Sequence, residues 1–239
     1  LKKRMRVRTA GLTTALVVGL ACFYGRAANV ANGGFESYSY DSSLDANVPA
    51  GWQRENYAAV VHNFIPQPVR GSAENWKIDL QQGLTPFEGD SFVVLSNGDI
   101  EPDPWSASLR QTVSFAPGEK LCGAYFFGTA DWGVMYNDYG TIKLTAESGS
   151  GLSDITLVSI TVDDVGRYSS TNGWVHFEST VFIPSTAGIY TIEVAVYDVG
   201  DTAYDSYLAV DGLIPEPATL FLLSLGAALM RKRTPNPGS

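Results

Sequence analysis

Aromatic side chains set among polar loop residues are the groups of this 239-residue chain best suited to holding a ligand. Trp105 follows Pro102-Asp103-Pro104, and Trp132 lies between Asp131 and Gly133 with Tyr136 and Tyr139 close behind. A flat ring stacks on the apolar face of a sugar while neighbouring Asp or Asn groups bond its hydroxyls. The competing use of such rings is to cap the ends of a folded core, and Trp52 and Trp174, in or beside strand-like segments, read as core. Acids are plentiful: Asp99, Glu101 and Asp103 alternate along one loop, Asp163-Asp164 form a pair, and Asp198, Asp201 and Asp205 form a third group. Loop acids of this kind are expected to be solvated. Catalytic signals are thin. The two histidines, His62 and His176, lie in no nucleophile or metal motif, and Ser150 in Gly149-Ser150-Gly151 lacks the strand-turn-helix setting of a nucleophile elbow. A glycosidase needs two positioned carboxylates, and spacing singles out no pair. The body is therefore expected to be non-enzymatic, with no catalytic residues.

The elements that must position these groups read as strands. Leu109, Val113 and Phe115 alternate with Arg110, Thr112 and Ser114; Ile142 and Leu144 alternate with Thr141, Lys143 and Thr145. Val175, Phe177, Val181 and Ile183 share one parity, and Tyr190, Ile192, Val194 and Val196 another. Ser91–Leu95, Leu121–Phe127 and Ile155–Val162 are continuously apolar, as strands buried on both faces are. Turn signals separate them: Asn97-Gly98, Pro117-Gly118, Gly149-Ser150-Gly151, Asn172-Gly173 and Ala187-Gly188. No stretch keeps a 3.6-residue apolar period. Short strands joined by Gly, Asn and Pro turns predict an all-β fold, a β-sandwich of the jelly-roll kind. Segments 39–48 and 64–75 read as long surface loops.

The two ends differ from this body. Lys2, Lys3, Arg4, Arg6 and Arg8 precede the apolar stretch Ala10–Phe23, and Gly25-Arg26-Ala27 supplies small residues for cleavage, so residues 1–28 read as a signal peptide. Cys22 after Leu20-Ala21 offers a lipoprotein reading, against which Gly19 stands where such signals carry leucine; an uncleaved anchor is the third reading. At the other end Pro215-Glu216-Pro217 is followed by the apolar run Ala218–Met230 and by Arg231-Lys232-Arg233. Thirteen residues span about 20 Å as a helix, short of the roughly 30 Å hydrocarbon core. The basic triplet resists translocation, so the tail engages a membrane transiently. Residues 215–233 thus form a separate segment, with 234–239 a disordered end and 29–214 one domain.

Between the two signals lie seven basic and twenty-four acidic residues, a net of −17 against −9 for the whole chain. So acidic a body repels nucleic acid, which is excluded as a partner, and favours divalent cations. With the leader removed Cys122 is the one cysteine, so no internal disulfide forms, and the absence of a CxxC or Cys/His pair argues against zinc and redox chemistry.

Two resemblances follow from these residues. The order Pro215-Glu216-Pro217, Ala218-Thr219-Leu220, apolar stretch and Arg231-Lys232-Arg233 resembles the PEP-CTERM sorting signal of bacterial exported proteins. It implies a membrane-embedded exosortase as processing partner, cleavage of the tail, and delivery to the cell envelope or the extracellular polymer matrix. The body opens with Asn32-Gly33-Gly34-Phe35-Glu36, soon reaches Gly51-Trp52, and closes with Ser206–Leu213. That bracketing resembles jelly-roll carbohydrate-binding modules and galactose-binding-like domains. The resemblance implies that first and last strands are neighbours and that a structural calcium sits there, carried here by Glu36 and Asp211. Calcium takes six to eight oxygens, and this chain has Gly212 where a second ligand often follows the aspartate. The reading is an exported envelope or matrix protein whose body binds polysaccharide or builds structure, with Trp105, Trp132 and Tyr136 as ligand-binding candidates. The alternative is a secreted polysaccharide-active enzyme on a jelly-roll scaffold.

Overall fold

In a computed structural model of the protein, the described residues are 30–64, 83–98, 105–131, 135–179, 188–200 and 204–216. The signal peptide, the tail from Pro217 onward, Trp132, the acids at 99, 101, 103 and 201, and most of segment 64–75 lie outside them.

The chain forms a β-sandwich of two antiparallel five-stranded sheets with a small hairpin beside them. The first sheet has the order β10 (Val175–Glu178), β7 (Lys120–Thr129), β12 (Ser206–Glu216), β5 (Phe92–Ser96), β4 (Tyr57–Val61). The second has the order β3 (Gln53–Glu55), β6 (Ser106–Phe115), β11 (Gly188–Tyr197), β8 (Tyr139–Ala146), β9 (Ile155–Thr161). Between them lies the core, where Leu109, Phe115, Ile142, Leu144 and Ile192 of the second sheet meet Leu121, Phe127, Leu208 and Val210 of the first. The expected parities of β6, β8 and β11 hold, because one face of each is apolar and the other largely polar, while Val181 and Ile183 lie outside the described residues. Each fully buried side chain of this size contributes roughly 1.5–3 kcal/mol. Phe35 packs against Trp52 with ring centroids 5.6 Å apart, so both belong to this core.

A second apolar cluster covers the outer face of the first sheet. Phe92, Val94, Phe126, Tyr207 and Ala209 point there and are overlaid by Leu84, Phe64 and Trp174. Trp174 meets Phe92 edge-on at 5.3 Å, and its Nε1 donates to the Thr85 carbonyl at 2.7 Å. β5 and β7 are therefore buried on both faces, which explains their unbroken apolar sequence.

Three expectations are corrected. Ile155–Val162 is not doubly buried: β9 is the edge strand beside β8 and is largely half-exposed, and Val162 opens a short helix, α1 (Val162–Val165). Asp164 is exposed, in keeping with a solvated acid, and it also caps a helix. Its carboxylate accepts from the N–H and hydroxyl of Thr161 while Thr161 Oγ1 accepts from Asp164 N, a reciprocal cap on α1. Segment 39–48 is a hairpin, β1 (Tyr38–Asp41) with β2 (Ala46–Pro49), whose turn forms because Asp41 Oδ1 accepts from the backbone and hydroxyl of Ser43. Finally, Pro215 does not end β12, which pairs with β7 through Pro215↔Leu121 and Glu216↔Lys120. Pairing with β5 stops at Val210↔Val93, so the last residues of β12 have one neighbour only and tolerate a residue without an N–H.

Candidate functional site

The opening motif folds against the end of β12. Asn32 bridges the first turn, its Nδ2 donating to the carbonyls of Ser37 (2.6 Å) and Ala50 (3.1 Å) and its Oδ1 accepting from Ser37 N. A Cβ at Gly33 would overlap the Leu213 carbonyl oxygen, and Leu213 N donates to Gly33 O at 3.0 Å, so the opening turn lies beside the last strand, whereas the first strand, β1, pairs with β2 and not, as expected, with β12. Gln111, projecting inward from β6, clasps the incoming chain through Ala31 N, Ala31 O and Gly51 O, each at 2.8–2.9 Å.

Glu36 and Asp211 converge on one segment, residues 87–91, from two sides. Asp211 is buried; its Oδ2 accepts from Phe87 N (2.8 Å) and Glu88 N (2.9 Å), its Oδ1 from Gly212 N. Glu36 Oε1 accepts from Asp90 N and Ser91 N, and Oε2 from the Ser91 hydroxyl at 2.9 Å. Burial pushes the Asp211 carboxyl up to about 6, against the pull of its N–H donors and with the like charge of Glu88 adding to the rise. For Glu36 burial also acts upward, but the bonds from Asp90 and Ser91 together outweigh it and hold the group below its ordinary value. Each carboxylate has about four lone-pair sites, of which three are taken, leaving room for one more ligand. A calcium ion takes six to eight oxygens, more than two carboxylates supply. Among the described residues no group of three or more His, Cys, Asp or Glu side chains is placed to hold a metal ion. As it stands, the pair fastens the 87–91 segment between the two chain ends.

The loops at the start of β12 rest on a second buried acid. Asp138 Oδ2 accepts from the Ser206 hydroxyl (2.7 Å) and from Asn97 Nδ2 (3.2 Å), and Oδ1 from Val199 N (2.8 Å). Loops 96–98, 135–138 and 198–206 are thereby tied together. Trp105 is more than half exposed at this end, with its carbonyl accepting from Asp198 N at 2.9 Å. Gly200 lies against the Tyr136 ring, since a Cβ there would meet Tyr136 Cδ1. The structure thus sets Trp105 and Tyr136 on either side of one segment, 198–200.

The same end carries, on the outer face of the second sheet, a group that joins Tyr139 to residues the sequence did not mark as a site. In register across β6, β11 and β8 lie the rows Ser106–Tyr197–Tyr139, Ser108–Ala195–Thr141 and Arg110–Glu193–Lys143. The Tyr197 hydroxyl donates to Glu193 Oε1 at 3.2 Å, four residues back, so its ring lies along β11 over Ala195. Tyr139 stacks on it at 4.7 Å with the rings 17° apart. Small residues make the trough that receives the ring: Ser108, Ala195 and Thr141 are all buried although they face outward. Ser108 Oγ and Thr141 Oγ1 have no hydrogen-bond partner among the described residues. At the far side Glu193 Oε2 takes Arg110 Nε at 2.7 Å, and Arg110 Nη1 reaches Glu55 at 3.2 Å. Burial first, then the Glu193 charge and bond, push the Tyr197 hydroxyl up to about 12, so it stays a donor. The signal available in the sequence was Glu193 and Tyr197 on the polar parity of an otherwise apolar strand.

No protein-family model and no curated protein matches this chain. Solved structures do. TmCBM61 in complex with β-1,4-galactotriose is 18% identical over 77% of this chain and 96% of that one, with a TM-score of 0.42. The C-terminal family 22 carbohydrate-binding module of Clostridium thermocellum Xyn10B is 18% identical over 78% of this chain and 99% of its own, at a TM-score of 0.34. The enzymatically active domain of bacteriophage CBA120 tailspike protein 4 is 16% identical over 78% of this chain and 21% of its own, at 0.37.

Proposed function

We propose that the body is a non-catalytic polysaccharide-binding module of an exported protein, and that the ligand lies across the outer face of the second sheet toward Trp105. The observation that carries this reading is the Tyr139–Tyr197 stack, flanked by the Arg110–Glu193 pair and seated over two unpartnered hydroxyls. Aromatic faces beside fixed hydrogen-bonding groups are what a neutral sugar chain requires. Glu193 on this face and Glu55 beside it both bond Arg110, which supports binding over glycosidic acid–base work by these two acids. Trp105 and Tyr136 extend the surface at the loop end.

The export reading is part of the same proposal and rests on the sequence: a signal peptide, then delivery to the envelope or extracellular matrix through a PEP-CTERM tail that an exosortase removes. Calcium belongs to it too. Glu36 and Asp211 would hold the ion together with backbone carbonyls, and it would offset the negative charge buried at Asp211.

A glycan array probed with the purified chain tests the binding claim. One class of neutral polysaccharide is expected to bind, and Tyr139→Ala to weaken it about ten-fold, at unchanged circular dichroism. A blank array, or binding that Tyr139→Ala leaves intact, overturns this site.

A further inference from the structure

Three Asn-Gly pairs occur in the chain, Asn32-Gly33, Asn97-Gly98 and Asn172-Gly173, and the fold treats them differently. In such a pair the glycine nitrogen attacks the asparagine side-chain carbonyl more readily than elsewhere, because no Cβ shields it. Two of the three are locked. Asn97 is buried, its Nδ2 held by Asp138 and its Oδ1 by Ser206 N at 2.7 Å; Gly98 N is itself bonded to Ser96 Oγ, and the space a Cβ would take at Gly98 is filled by the Asp205 carboxylate. Asn32 is half-buried and spends both side-chain atoms on Ser37 and Ala50, with Gly33 pressed against Leu213.

Asn172 has none of this. It is exposed, its side chain makes no hydrogen bond with the described residues, and only its backbone N–H is held, by Ser170 Oγ at 3.1 Å. Gly173 has nothing within 4 Å of where a Cβ would stand, so a ring closing between the two residues meets no wall. Both residues have positive φ, 56° and 123°, in the turn before β10, where rearranging the backbone disturbs no ladder.

We infer that Asn172 is a built-in deamidation site of this protein. The Gly173 nitrogen gives its proton to solvent base and bonds to Asn172 Cγ; the Cγ–Nδ2 bond breaks and ammonia leaves, forming a succinimide. Water then opens the ring. Cleavage at Cγ yields aspartate, and cleavage at the backbone carbonyl yields isoaspartate, with the chain rerouted through the side chain. The balance is one water in and one ammonia out, with no oxidant and no cofactor. The product places a new negative charge two residues before Trp174, whose ring seals the outer apolar cluster against Phe92 and whose Nε1 holds Thr85.

The test is peptide mapping of the purified full-length chain held at mildly alkaline pH, with isoaspartate scored at each pair over time. Two net hydrogen bonds correspond to a factor of roughly ten or more in how often a side chain is free, so Asn172 should convert about ten-fold faster than Asn32 or Asn97. In denaturant the three rates should converge. Gly173→Ala should slow conversion at Asn172 alone. Equal rates in the folded chain, precedence of Asn32 or Asn97, or an Asn172 that converts only after unfolding would each overturn the inference.

Discussion

Asp211 holds a charge in a place that disfavours it, and Glu36 holds one in a place that welcomes it. The folded Asp211 carboxyl binds its proton more tightly than the unfolded one, so its contribution to stability is fully present below about pH 4 and is lost as pH rises through about 6. The loss is up to about 3 kcal/mol, from 1.36 kcal/mol per pKa unit. Glu36 has the opposite sign: its contribution is present above its ordinary carboxylate range and fades as pH falls through its lowered folded value. Urea melts between pH 4 and 7 should therefore show stability declining toward pH 7, and Asp211→Asn should flatten that decline. If calcium binds at Glu36 and Asp211 it favours the ionised form, so millimolar calcium should also flatten the decline and chelator restore it. A decline that survives Asp211→Asn has another source, and indifference to calcium and chelator counts against the ion.

At the scale of the element, the contact of the opening turn with β12 depends on an absent side chain. Gly33→Ala forces a methyl into the Leu213 carbonyl and parts the Gly33–Leu213 hydrogen bond, whereas Gly34→Ala meets nothing within 4 Å. Overpacking of this kind costs about 1–3 kcal/mol, with each kcal/mol lowering Tm by roughly 2–4 °C in a domain of this size. Thermal melts of the two variants should thus differ by several degrees; equal melts would show that the turn is not pinned there. The strands themselves were legible, since Leu109, Ile142 and Ile192 announce their parity in the sequence. The β1–β2 hairpin was not, because β1 is exposed on both faces and β2 is evenly half-buried, so these four-residue strands carry no alternation to read. β9 misled for the opposite reason, an apolar run at an edge. Exposed Trp105 was foreseeable from its loop of prolines and acid. Tyr139 and Tyr197 meet only through cross-strand register, which sequence does not encode locally, so their stack was invisible until β8 and β11 were paired.

For the whole molecule, the excess of acid over base between the two signal-like ends suits a protein that stays soluble outside the cell. The proposed processing predicts such a product: intact-mass measurement of the protein from its native host should find the tail lost near Pro215-Glu216-Pro217, and recovery of Arg231–Ser239 on the mature chain would refute exosortase-type cleavage. Since β12 pairs through Glu216, the shortened chain keeps every strand whole if the cut falls beyond that residue. The adjacency of Gly33 and Leu213 has a mechanical side. The chain enters the sandwich beside the strand by which it leaves, so a pull applied at residues 30 and 216 loads the Gln111 clasp, the Gly33–Leu213 bond and the pairing of β12 with β7. Gln111 sits on the inner side of β6, the strand whose outer side carries Ser108 and Arg110 beside Tyr197, so such a pull loads the sheet that bears the tyrosine face.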